Sequence, residues 1–143
     1  MKSPLNPSRK ATARVKNPLP TPEQCRYCGS EVSLRTHFEV YGRNYSEWPW
    51  VYQCGNPSCA AHIGIHPFTN IPLGTLANAE LRTARKLAKQ PFNRIWESGR
   101  MSRRDAYLWL ARKLEINASE CHFGWFSLDR CTEAKKICEE FLK

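Results

Sequence analysis

Two hydrophobic rhythms divide this chain. Between residues 32 and 66 apolar and polar positions roughly alternate in short runs. The runs Ser33–Val40 (SLRTHFEV), Trp50–Cys54 (WVYQC) and His62–His66 (HIGIH) predict three short strands, with a polar and aromatic loop, Tyr41–Pro49, joining the first two. From residue 78 onward apolar positions recur every three or four. Asn78 is a good N-cap, and Leu81, Arg85, Ala88 and Phe92 share one face of the helix it opens. Pro91 is expected to end or kink that helix near Gln90, with a short continuation, Phe92–Glu97, setting Phe92, Ile95 and Trp96 on the core and Gly99 closing it. Ser102, with Asp105 at capping-box spacing, opens a second helix with the stripe Ala106, Tyr107, Leu110 and Leu114. Ser127 caps a last helix, whose apolar face is Leu128, Cys131, Ala134 or Lys135, Cys138 and Phe141. The pattern predicts an α+β fold: a small antiparallel sheet packed with a C-terminal helical lobe.

The first 22 residues follow neither rhythm. Pro4, Pro7, Pro18, Pro20 and Pro22 alternate with Lys2, Arg9, Lys10, Arg14 and Lys16, without a single acid. Such a segment has too little apolar surface to order itself, so residues 1–22 are expected to be a disordered basic arm. The sheet region then spans 23–70 and the helical lobe 71–143. Residues 69–77, with Pro72 and Gly74, read as the connector.

The cysteines change the picture most. Cys25-Arg-Tyr-Cys28-Gly29 and Cys54-Gly-Asn-Pro-Ser-Cys59 place four thiols in two close pairs. Two pairs at this spacing suit a tetrahedral Zn²⁺ site held by Cys25, Cys28, Cys54 and Cys59. Gly29 suits the turn that closes the first knuckle, where backbone often takes φ > 0. Knuckle, hairpin, knuckle and short strand is the layout of a zinc ribbon. A module with so few aliphatic residues cannot sustain a core alone, so the metal is expected to supply on the order of 10 kcal/mol of its folding free energy.

These residues admit other readings. A disulfide framework fits poorly: the seven cysteines are an odd number, and MKSPLNPSRK lacks the apolar segment of a secretory signal. His62 or His66 is an alternative zinc ligand, though four cysteines already satisfy the ion. Cys121, His122, Cys131 and Cys138 form either a second metal site or core packing, and the seven-residue spacing of Cys131 and Cys138 on one helix face favours packing. His37-Phe-Glu39 resembles the H-x-E of zinc deaminases, but no P-C-x-x-C follows it, and four thiolates leave zinc no position for water. No P-loop, nucleophile elbow or G-x-G-x-x-G occurs. A non-catalytic, cytoplasmic protein is expected. No run approaches the roughly 20 apolar residues of a membrane span.

Charge bears on the partner rather than the fold. The formal net charge is +9, and four thiolates with one Zn²⁺ lower it to +7. A basic balance points to nucleic acid first and to an acidic protein surface second. Arg82, Lys86 and Lys89 form a stripe on the first long helix, with Arg103 and Arg104 beyond it, suited to a phosphate track. In the hairpin loop, Arg43, Tyr45 and Trp48 suit stacking on bases, single- or double-strand preference being open.

The stretches CRYCG, YQCGNPSCAAHIGIHPFTNIPLGTLANAELRTARKLAKQPFNRIW, MSRRDAYLWLARKLEI and ECHFGWFSLDRC resemble a family of zinc-finger-containing proteins common in phages and prophages. The resemblance runs from about Cys25 to Cys138. It implies zinc held by Cys25, Cys28, Cys54 and Cys59 and a phage or bacterial setting, and it assigns no activity. The first knuckle is also similar to zinc ribbons of topoisomerase C-terminal regions, which contact single-stranded DNA. The expected function is zinc-dependent nucleic-acid binding, with a protein-binding inhibitor or adaptor aimed at a host protein as the alternative.

Overall fold

In a computed structural model describing residues 3–143, the chain forms two compact units, one ending at Asn78 and one spanning Ala79–Lys143. The elements run α1 (Arg9–Arg14), β1 (Val32–Thr36), α2 (His37–Tyr41), β2 (Trp50–Cys54), β3 (His62–Gly64), α3 (Ala79–Glu97), α4 (Arg103–Leu114) and α5 (Leu128–Leu142). The class is α+β, as expected. Among the described residues no helix is long and apolar enough to cross a membrane.

In the first unit β1, β2 and β3 form an antiparallel sheet in that order. Val32 lies opposite Cys54, Leu34 opposite Tyr52, and Tyr52 opposite Ile63. Because side chains alternate across a pleated strand, these residues and Trp50 share one face. Val32, Leu34, Trp50, Tyr52 and Ile63 close a core with Trp48, Ile65 and Phe68.

β1 ends four residues before the expected Val40. Thr36 accepts a hydrogen bond from Glu39 N–H at 3.1 Å, and Glu39 Oε1 accepts from Thr36 N–H at 3.0 Å. This reciprocal capping box turns His37–Tyr41 into a helical turn. Two orphan N–H groups satisfied at once outweigh the β preference of Phe38 and Val40.

The connector packs with the sheet. His62 and Ala77 exchange backbone hydrogen bonds of 3.0 and 3.1 Å, and Ile71, Leu76 and Ala77 are buried. The units therefore divide at Asn78, not at residue 70. The N-terminal segment, expected to be an arm without structure, carries α1. Ser8 caps it by accepting from Ala11 N–H, and the Ser8 N–H donates to Phe68 O at 2.8 Å.

α3 runs unbroken through Pro91, against the expected break. A proline inside a helix costs about 3 kcal/mol or more. Phe92 and Ile95, just beyond it, are fully buried, each worth roughly 1.5–3 kcal/mol on transfer from water. Together they offset the loss. α3 packs chiefly on α5, whose Cys131, Ala134 and Cys138 are buried. Rings from α3, α4 and the loop before α5 meet around Phe92, with Tyr107 at 4.5 Å and Phe123 at 5.2 Å between centroids. Ser102 and Ser127 cap α4 and α5, accepting from Asp105 N–H and Arg130 N–H.

The C-terminal cysteines are core residues. Burial pushes the Cys138 thiol up to about 12 and that of Cys121 to about 11. Replacing Cys138 with serine buries a hydroxyl among apolar groups. Chemical denaturation of Cys138→Ser should show a loss of roughly 1–3 kcal/mol, with metal content unchanged; a variant that loses metal would contradict the packing role.

Candidate metal centre

The first knuckle is a tight turn fixed by backbone bonds. Cys25 N–H donates to Ser30 O, and Gly29 N–H donates to Cys25 O, both at 2.8 Å. Gly29 has φ +75°, and a Cβ there would meet nothing within 4 Å. Backbone conformation, not space, requires this glycine, as the sequence implied. The second knuckle leaves the end of β2. Gly55 N–H donates to Glu31 O at 2.8 Å, and a Cβ on Gly55 would lie 3.0 Å from that oxygen. Gly55 therefore serves a close approach between knuckle and strand.

These turns bring four sulfurs together. The Sγ atoms of Cys25, Cys28, Cys54 and Cys59 all lie within 4.8 Å of one another. Cys25 is 3.6 Å from Cys59, and Cys28 is 3.4 Å from Cys54. A tetrahedron of sulfurs about 2.3 Å from a zinc ion has edges of roughly 3.8 Å. A disulfide would need about 2.05 Å, and all seven cysteines are free. Tyr27 N–H points at Cys25 Sγ and Asn56 N–H at Cys54 Sγ, each at 3.4 Å, the support a metal-bound thiolate needs. Ala61 and Leu76 cover the inner side, with Val32 and Ile63 beside them.

The sulfurs are electrostatically unequal. Hydrogen bonds donated to its sulfur by the hydroxyl and then the backbone of Ser30 lower exposed Cys28 to about 6. Burial, with the neighbouring thiols behind it, pushes Cys54 up to about 12. Four thiolates in this space need a compensating cation, and a dication supplies it. The residues fit zinc in element type, number and spacing.

His62 is not part of this cluster. Its Nδ1 lies 3.2 Å from Ala60 O, and its ring meets Tyr41 edge-on. Among the described residues no other group of three or more His, Cys, Asp or Glu side chains converges, so Cys121, His122, Cys131 and Cys138 form no second site of this kind.

The expected nucleic-acid contacts fall in different places. Arg43 and Tyr45 come together after α2, the guanidinium 4.7 Å from the ring centroid. Trp48 corrects the sequence reading. It is only 4% exposed, its Nε1–H donates to Thr69 O at 3.0 Å, and its ring packs on Phe68. A ribbon short of aliphatics uses the indole as core, so Trp48 is no surface contact. Arg82, Lys86 and Lys89 lie along α3, Lys86 exposed and the other two part-buried. Arg103 sits over Trp96 and Tyr107 at 5.9 and 5.3 Å, and Arg104 is exposed. Sequence reasoning missed Phe38, which is exposed on α2 together with Tyr41. The signal was present as Thr36-x-x-Glu39, a helix start inside an apparent strand.

A model of a family described as a zinc-finger-containing domain matches residues 21–141. The chain belongs to this family, and the match takes in the helical unit as well as the four cysteines. No curated protein and no solved structure matches the chain.

Proposed function

We propose that this member of the zinc-finger-containing family binds nucleic acid without catalysing a reaction, its Zn²⁺ holding the first unit in shape. Four cysteine sulfurs complete a tetrahedron and leave no coordination position for a water or substrate. The metal's contribution is therefore folding free energy.

The charge distribution of the second unit carries the reading. Residues 82–113 hold ten lysines and arginines and two acids, whereas residues 115–143 hold four against six. Of those ten cations only Arg85 is buried, its Nε–H donating to Phe126 O. Lys86, Lys89 and Arg104 have no acid within ion-pair distance among the described residues. Exposed cations without acid partners are what a polyanion backbone selects. The reading carries the phage or prophage setting that the sequence resemblance implies, and the cytoplasmic location expected from the sequence.

Phosphate contacts release counterions, so log affinity for DNA or RNA should fall linearly with log salt. Lys86→Ala is expected to lower that slope by about one and to weaken all sequences alike. Binding no tighter than about 100 µM in about 50 mM salt, weak even for non-specific binding, would dismiss this function in favour of a protein-binding adaptor.

A further inference from the structure

We infer that the first unit carries a site for single-stranded nucleic acid, built from an aromatic knob (Phe38, Tyr41, Tyr45 and Arg43) and the basic helix α1. This rests on the nucleic-acid reading above and names the strand class and the place.

The knob is exposed and already shaped. Phe38 is 65% exposed, Tyr45 59% and Tyr41 45%, within eight consecutive residues. Large apolar rings left in water on a small domain mark a contact surface. Two bonds latch the loop to α2: Phe38 N–H donates to Asn44 Oδ1 at 3.1 Å, and Tyr45 N–H donates to His37 Nδ1 at 3.2 Å. Burial holds His37 below its ordinary pKa, which keeps it neutral and able to accept that bond at pH 7. Tyr41 and Tyr45 meet edge to face, 5.6 Å apart, rather than stacking on one another. Ordering the rings beforehand removes a cost that binding would otherwise carry.

Charge selects among partners for such a patch. The knob is close to neutral: residues 35–47 contain two arginines and two glutamates, and Arg35 pairs with Glu39 at 3.7 Å. Phosphate attraction must come from its surroundings. α1 and the residues after it supply Arg9, Lys10, Arg14 and Lys16 with no acid. Contacts join α1 to the base of the knob: Ser8 bonds to Phe68, Phe68 packs on Trp48, and His37 N–H donates to Pro49 O at 2.8 Å. Cations and exposed rings carried on one folded unit are the makings of a single-strand site, in which backbone follows charge and unpaired bases stack. Duplex bases are already stacked on each other and offer those rings nothing.

Fluorescence anisotropy of the full zinc-loaded chain, with a labelled oligo(dT) of about 12 nucleotides and a blunt DNA hairpin, tests this. Tyr45→Ala should weaken oligo(dT) binding roughly tenfold, with an unchanged salt slope and unchanged hairpin binding. Tyr45→Phe, which keeps a stacking face, should retain it. Arg9→Ala with Arg14→Ala should lower the oligo(dT) salt slope by roughly 1.5. Equal hairpin and oligo(dT) affinities untouched by Tyr45→Ala would overturn the inference; a Lys86→Ala slope change in the same assay would leave the broader reading standing. Loss in Tyr45→Phe equal to that in Tyr45→Ala would also overturn it.

Discussion

Chelating the metal will unfold the first unit of this protein while the helical signal of α3, α4 and α5 persists. The first unit's apolar core is thin. One cluster gathers around Trp48, Tyr52 and Ile65, and the other contains two of the metal-binding cysteines, Cys25 and Cys54, with Ala61 and Leu76. Removing the ion leaves four thiols in contact, with Cys54 buried and unable to ionise usefully. A structural zinc site contributes on the order of 10 kcal/mol or more, comparable to the whole stability of a typical domain, about 5–15 kcal/mol. Elemental analysis should find one Zn²⁺ per chain, and X-ray absorption should place sulfur at about 2.3 Å. Near-ultraviolet circular dichroism should then lose the Trp48 and Tyr52 signals on chelation. Cys54→Ser, at a buried position, should act more severely than Cys28→Ser at an exposed one. A chelated protein that keeps its aromatic signal and melts cooperatively as before would refute the structural role.

The metal centre was legible in the sequence because its chemistry is local. Each knuckle needs a pair of thiols a few residues apart and a turn between or beside them, all within one short stretch. Caps are local too, and Ser102 and Ser127 open their helices where the sequence placed them. The misreadings share another cause. β-propensity suggested a strand through Val40, but a side chain three residues away, Glu39, decided the matter at Thr36. Pro91 carries a breaker's signal, and only the burial of Phe92 and Ile95 by residues far along the chain keeps α3 whole. The connector looked like the start of the helical lobe because nothing in TNIPLGTLA announces that Ala77 will bond to His62. The Pro-rich start gave no hint that Ser8 would bond to Phe68.

Trp48→Ala should destabilise the first unit by about 3–5 kcal/mol, the range for truncating a buried large aromatic. The sequence placed this ring in a loop and read it as a surface contact. In the fold it fastens the loop to the turn at residues 66–71. Its Nε1–H bonds to Thr69 O, while Thr69 itself, 1% exposed, accepts from Ile71 N–H and donates to His66 O. Phe68, in that turn, has φ +64°, a conformation unfavourable for a bulky residue by about 1–2 kcal/mol. Its ring lies 5.2 Å from that of Trp48. Without the indole that strain remains and the packing that offsets it is gone. Trp48→Phe keeps a ring against Phe68 but leaves Thr69 O without its donor, so a smaller loss of about 1–3 kcal/mol is expected. Denaturation of both variants, followed by tyrosine fluorescence and zinc release, measures the difference. Tyr45→Ala should shift neither the denaturation midpoint nor zinc release, since that ring is largely exposed. A Trp48→Ala protein as stable as the parent, yet deficient in single-strand binding, would return Trp48 to the surface role and overturn this assignment.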